Sequence, residues 1–448
     1  MLKNLLKNQL RVNMLSGFVC QGINVAVLVF AYPIYLHYLG PEVFGVWLLL
    51  STVLRFAQLG NLGIHSATIK LVAEEHGRED YASIRQYVST SIMTLLATGA
   101  LILTGILIFQ EQIIGLFKME PQYADRALGL LPYIGLLSIY VLVVQTVSAT
   151  LSGLGRMDLF NYFQSASRMV GLLVSALLLW QGFGLMSLLI GQATSYLLIN
   201  VLTIIGIRRV AGLRIFSVRA FCAHRLKRIL KFGSMVFGSS IIGLLFDPFN
   251  KLMISRNLGV GAVPVYDIAF NAGNQIRGLI EMALRPLMPE ISRLSSDPSE
   301  RGKKRLWHIN NRGIFFVLLM AGPLYAVILL IAPWLLKTWL GNDFTEDIPP
   351  AFRLMLFSTF INLIGIPAYH TLLGLNRARN AVISSLIISG GNFVMVLIIK
   401  AITGTVYINW MFAGLILSFT LSTLYLTIRA RFAILRRQHD DSQSPLEQ

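Results

Sequence analysis

A succession of apolar runs, each as long as a bilayer is thick, limits what this chain can fold into more than any other feature. About twelve such runs alternate with polar clusters, at residues 14–36, 43–72, 87–109, 126–150, 159–181, 183–207, 229–256, 261–288, 309–333, 347–373, 380–400 and 405–428. A helix crossing hydrocarbon needs roughly twenty mostly apolar residues. Strands of a membrane barrel would be near ten residues with strict alternation, and LLATGALILTGILIF and LFSTFINLIGIPAYHTLL show neither. The balance of 55% hydrophobic against 13% charged residues is outside the range of soluble domains. The expected fold is therefore an all-α polytopic membrane protein. The first run follows Lys3, Lys7 and Arg11 but is too long for a secretory signal, so it reads as a retained helix.

The net charge of +17 would fit a nucleic-acid binder if the charge were spread over one surface. It is sorted by loop instead. One alternate set of loops holds Lys3, Lys7, Arg11, Arg78, Arg85, Arg156, the cluster from Arg208 to Arg228, Arg301 to Arg305, Arg377, Arg379 and Arg429 to Arg437, and the other little more than Lys118 and Lys337. That asymmetry is the positive-inside signal. It predicts both termini in the cytoplasm and no nucleic-acid partner. The leader MLKNLLKNQLR sets leucines against basic residues four apart, as an interfacial helix over residues 1–13 should.

A basic loop, IRRVAGLRIFSVRAFCAHRLKRILK, lies near the midpoint. Residues 14–207 then form an N-terminal six-helix bundle, 208–228 a linker that can touch anionic lipid, 229–428 a second six-helix bundle and 429–448 a cytoplasmic tail. The halves resemble each other. HYLGPEVFGVW after the first run matches RNLGVGAVPVY after the seventh, and LSGLGRMD after the fourth matches LLGLNRAR after the tenth. The offsets are about 219 and 221 residues, close enough to be one repeat. With an even number of spans in each copy, the halves run the same way up and are related by a pseudo-two-fold axis along the membrane normal, an arrangement that puts substrate between them.

The polar residues inside the runs are few. At about 100° per residue, Asp267, Asn271, Asn274, Glu281 and Arg285 form a stripe roughly 80° wide on the eighth helix, with Arg277 on its shoulder. Three charges there facing lipid would cost about 8–10 kcal/mol in total, so the stripe faces protein or water. The seventh run repeats the pattern in FDPFNK, with Asp247, Asn250 and Lys251 around Pro248. Asp247 with Lys251, and Arg277 with Glu281 and Arg285, stand at spacing four and can neutralise one another. In LRFAQLGNLG, Arg55 lies near the centre of the second span with Gln58 and Asn61 nearby, while the first six spans carry no Asp or Glu. Arg55 thus meets either an anionic ligand or a carboxylate of Asp247, Asp267 or Glu281. Asn24 and Arg168 are isolated polar residues of the first and fifth spans.

No phosphate-cradling Gly-Lys-Ser/Thr loop and no His or Cys cluster is present, and Cys20 and Cys222 are too few for a metal site or a disulfide framework. No catalytic residue, metal or bound cofactor is expected, and the outer loops give an enzyme active site little to build on. The twelve spans, the YLGPEVFGVW turn and the Gly-Leu-x-Arg turns at Gly153–Arg156 and Gly374–Arg377 resemble the polysaccharide transport branch, the Wzx-type flippases, of the multidrug/oligosaccharidyl-lipid/polysaccharide exporter superfamily. The resemblance implies two bundles rocking between inward-open and outward-open states in the bacterial inner membrane. It implies a cargo of undecaprenyl-pyrophosphate-linked oligosaccharide, with membrane lipids, the polysaccharide polymerase and the chain-length machinery as partners. Arg55, Arg277, Arg285 and Lys251 are then the candidates for the pyrophosphate, Asn24, Asn61, Asn271 and Asn274 for sugar hydroxyls, and Asp247, Asp267 and Glu281 for coupling to a proton or sodium gradient. A cation-coupled multidrug exporter of the same superfamily is the alternative, and an integral glycan-processing enzyme a weaker one.

Overall fold

The computed structural model describes residues 2–212, 217, 220–284, 291, 294 and 300–435. These residues are helical almost throughout, with no strand among them. The apolar runs fall mainly on helix as far as they are described, and the chain is a multi-pass membrane protein. Nine described helical stretches are long and apolar enough to cross a bilayer, the first of them covering 50 residues. At about 1.5 Å per residue that stretch is more than twice the hydrocarbon thickness, so it holds two crossings.

The two crossings of α1 (Leu2–Ala57) meet at Gly40, whose φ of 72° and ψ of 169° break the helix in front of Pro41. Only glycine takes that conformation cheaply, and the residue before a proline is pushed out of the helical region in any case. Residues 2–13 continue the helix of the first span. Gln9 and Asn13 bond the Asp158 carboxylate and backbone N–H respectively, tying this segment to the turn before the fifth span.

The second crossing is itself interrupted. A short 3-10 turn, Gln58–Asn61, is followed by Leu62 and Gly63 in left-handed conformations, and only then does α2 (Ile64–Gly77) resume. A helix interrupted in mid-membrane frees backbone groups that need partners. Thr98 donates to the Gly60 carbonyl, and Asn61 Oδ1 accepts the His65 backbone N–H at 2.9 Å. The break also packs closely: a Cβ on Gly63 would fall inside the Gly233 carbonyl oxygen, and one on Gly233 would lie 2.7 Å from the Leu62 carbonyl oxygen.

The first unit continues with α3 (Tyr81–Ile108), a short α4 (Gln110–Leu116), α5 (Pro121–Gly153), α6 (Met157–Trp180), α7 (Leu185–Ala211) and α8 (Ala223–Leu258). Its interior is apolar and contiguous. Val72, Ile84, Val88, Val147, Leu151 and Ile207 join α2, α3, α5 and α7, while Ile64, Leu71, Tyr87, Leu142 and Ile229 bring in α8. The second unit comprises α9 (Val263–Leu284), α10 (Glu300–Phe316), a π-turn at Val317–Ala321, α11 (Gly322–Leu340), α12 (Ile348–Gly374), α13 (Ala378–Thr403) and α14 (Ile408–Leu435). Its α12 packs on α14 through Ala368, Leu372, Leu426 and Ala430, and α13 bonds α14 through Ser384 and Ser422, 2.7 Å apart. Large apolar side chains such as Leu101, Leu330 and Ile402 are more than 70% exposed, which only a lipid solvent rewards.

Packing divides the chain after Pro264. The seventh helix, α8, packs on α1, α2 and α3 of the first unit, so the division falls one helix later than the basic linker.

The internal repeat is visible in the backbone. Gly259 has φ 87° and ψ 168°, the conformation of Gly40. At the other pair of turns Gly155 and Asn376 are both left-handed, and Arg156 and Arg377 share φ of −102° with ψ of 52° and 49°. The hydrogen bonds correspond as well: Arg156 N–H donates to Leu151 O and Arg377 N–H to Leu372 O. Two corners of each half thus share one backbone solution. The copies part at the second span. Gln58 to Gly63 interrupt the first copy, whereas their counterparts Arg277 to Met282 run through α9 without a break.

Candidate functional site

Arg55 occupies the last turn of the 41–57 helix, where the partial negative charge of the helix end favours a cation. Its Nη1 lies 2.7 Å from Asp247 Oδ2, and the same oxygen lies 3.2 Å from Lys251 Nζ. One carboxylate oxygen therefore faces two cations. Burial separates their roles. The Lys251 side chain is 1% exposed and that of Asp247 8%, but Arg55 is 43% exposed. Asp247 Oδ1 has no hydrogen-bond partner among the described residues. Lys251 is placed to hold Asp247, and Arg55 is the member a ligand can reach.

Arg277 on α9 makes the ladder contact expected from spacing: its Nη1 lies 2.9 Å from Glu281 Oε2 and donates to Asn362 Oδ1 on α12 at 3.1 Å. Its side chain is 26% exposed and that of Glu281 24%. Asn274 is turned back onto the Phe270 carbonyl one helical turn earlier. Asn271 is half-buried and Asp267 fully buried in the same helix. Tyr266 stacks between Phe270 and Phe412 and pins α9 against α14. Arg285 lies outside the described residues.

The structure brings Arg55, Asp247 and Lys251 together in the first unit and Arg277, Glu281 and Asn362 together in the second. Asn61 and Asn24 belong to neither group. Asn61 caps α2 and donates to Gln145 Oε1 at 2.8 Å, and His65 Nδ1 lies 3.0 Å from the Gln145 carbonyl oxygen, so these three side chains close the interrupted span. Asn24 accepts from Arg168 Nη1 at 2.6 Å. Sequence reasoning missed Gln145, His65 and Asn362. The GNLG segment inside an apolar run is the one signal that marks the interruption in advance.

At the corner between α2 and α3 a second charged group ties α8 down. Arg228 reaches Glu74 at 2.7 Å and the Tyr87 hydroxyl at 2.8 Å, and Arg225 lies over the Tyr87 ring and donates to Ser83 at 2.6 Å. Asp80 caps α3, and its hydrogen bonds from the Ser83 hydroxyl and backbone hold its carboxyl below the ordinary range.

Helical units with interrupted and proline-containing spans, an internal repeat of matching corners and cationic side chains inside the membrane define a secondary transporter fold. Known structures agree. Over 92% of this chain and 95% of the other, the fold superposes on an inward-facing multidrug resistance MATE family transporter of the MOP superfamily with a TM-score of 0.76 at 15% identity. Over 95% of this chain and 89% of the other it superposes on the lipid II flippase MurJ in an inward closed conformation, with a TM-score of 0.73 at 16% identity. The family profile described as "Polysaccharide biosynthesis protein" matches residues 37–349, and the chain belongs to that family. A curated relative from Shigella flexneri, named "Putative O-antigen transporter", is 21% identical over 343 residues, 76% of this chain and 79% of its own length.

Proposed function

We propose that this transporter is a flippase for polyprenyl-pyrophosphate-linked oligosaccharide, carrying it from the cytoplasmic to the outer leaflet of the bacterial inner membrane by alternating access, with both termini in the cytoplasm. One observation carries the reading: a 43% exposed arginine within a span, beside a buried carboxylate that it shares with a buried lysine. The exposed part of the Arg55 side chain is open to a pyrophosphate. Guanidinium and phosphate oxygens form charge-assisted, often bidentate hydrogen bonds. In the second unit, Arg277 can contact an anion once it exchanges Glu281 for it, and Asn271 and Asn274 lie within one or two turns of it for sugar hydroxyls. Coupling to a proton or sodium gradient through Asp247, Asp267 or Glu281 belongs to the same proposal, as do the polymerase and chain-length machinery as partners.

The test is export in cells lacking their own copy of the gene. Arg55→Ala and Arg277→Ala should each abolish surface polysaccharide while the protein stays at wild-type abundance in the membrane, and Arg55→Lys should restore part of it. Normal export by both alanine variants would refute the proposal.

A further inference from the structure

Arg168 belongs to a different place from the trio around Arg55. It stands at the midpoint of α6 and its side chain is exposed. Among the described residues no carboxylate lies within ion-pair distance of it, and its guanidinium donates to the neutral Asn24. A charge at mid-membrane depth without a counter-ion is costly. Arg168 lines a cavity of about 380 Å³ enclosed by α1, α6 and α7, wholly within the first unit. No Asp or Glu lines that cavity.

The rest of the lining is chemically specific. Hydroxyls and amides come from Ser167, Ser175, Ser195, Gln164 and Gln192, and aromatic rings from Tyr35, Trp47 and Tyr196. Ser167 is 1% exposed, and its hydroxyl has no hydrogen-bond partner among the described residues, so a buried polar group stands ready for a ligand or a water. Beside the cavity α6 and α7 pack through small residues. A Cβ on Gly171 would lie 2.8 Å from both the Gly191 carbonyl oxygen and the Ser195 Cβ, so the backbones touch there and the larger side chains flank an open space. Its volume is within the range of pockets for small molecules.

We infer that this cavity is a second binding site, internal to the first unit, for a phosphate-bearing sugar: the phosphate on Arg168, the hydroxyls on the serine and glutamine side chains, and a ring face on Trp47 or a tyrosine. The inference rests on the reading of the cargo as a phosphate-linked glycan but concerns different residues from the site of Arg55. The phosphosugar could arrive as the headgroup of that cargo or as a soluble molecule.

The experiment uses the full chain in nanodiscs of zwitterionic lipid, titrated with glucose 1-phosphate and followed by tryptophan fluorescence. The wild type should show a saturable change that glucose alone and inorganic phosphate do not produce, and Trp47→Phe should remove it. Arg168→Gln should weaken the apparent affinity about ten-fold or more, the scale of a lost hydrogen bond to a charged group, and Arg168→Lys should recover part of it. Arg55→Ala should bind glucose 1-phosphate like the wild type even where it fails to export, which separates this site from the proposed transport path. Wild-type affinity in Arg168→Gln, or no saturable change in the wild type, would overturn the inference. So would an equal response to inorganic phosphate or the same change on replacing the lipid by phosphatidylglycerol, since the cavity would then select an anion or a membrane lipid and not a phosphosugar.

Discussion

Replacing Asp247 by asparagine separates the structural from the ligand-binding member of the trio. Lys251 Nζ lies 3.2 Å from the carboxylate and its side chain is 1% exposed. At an effective dielectric constant of about 20, the attraction at that distance is roughly 5 kcal/mol. Removing one partner of a buried pair generally costs about 3–5 kcal/mol, because the remaining charge loses its compensation. Arg55 touches the same oxygen but is 43% exposed, so its share is discounted to about 1 kcal/mol or less. Asp247→Asn should therefore lower the melting temperature of the detergent-solubilised protein by about 3–5 °C, whereas Arg55→Ala should leave it within about a degree and abolish export. The measurement is a melting curve for each variant beside its surface-polysaccharide level. Equal destabilisation by Arg55→Ala and Asp247→Asn would show that the arginine is a structural member of the pair and refute the division of roles.

Gly63→Ala should destabilise by roughly 2–5 kcal/mol, from a left-handed φ of 75° that an L-residue adopts only at a cost of about 1–2 kcal/mol and from overpacking against the Gly233 carbonyl; Gly77→Ala, in open helical surroundings, serves as the neutral control in the same melting assay. The Asp80 cap should titrate. With its carboxyl held below the usual 3.8, the folded form gains from the charged state above that value and loses the gain as pH falls through the lowered one. Amide exchange at Ser83, corrected for intrinsic rates, should show protection that fades in acid in the wild type and is absent at every pH in Asp80→Ala; protection independent of pH in the wild type would remove the cap from the account.

What the sequence made legible were the features carried by neighbours in the chain. Hydropathy marks the spans because lipid accepts little else. The corners at Gly40 and Gly259 show as Leu-Gly turns because few residues adopt their dihedrals. Asp247 with Lys251 and Arg277 with Glu281 follow from one helical turn. Illegible were the choices made across the fold. Asp247 is 192 residues from Arg55, and three carboxylates were equally eligible to meet it. Asn61 has the chemistry of a sugar ligand, but the interruption of its helix uses it as a cap. Arg168 and Asn24 are each unremarkable until packing sets them 2.6 Å apart beside a cavity.

The packing of the seventh helix with the preceding six governs where this gene could be divided. Two fragments separated within the basic segment at 208–228 would strand α8 from the α1, α2 and α3 surfaces that cover it, exposing the Gly233 seam and parting Asp247 from Arg55. Fragments separated after Pro264 would each retain their own interior, and co-expressed halves should be designed there.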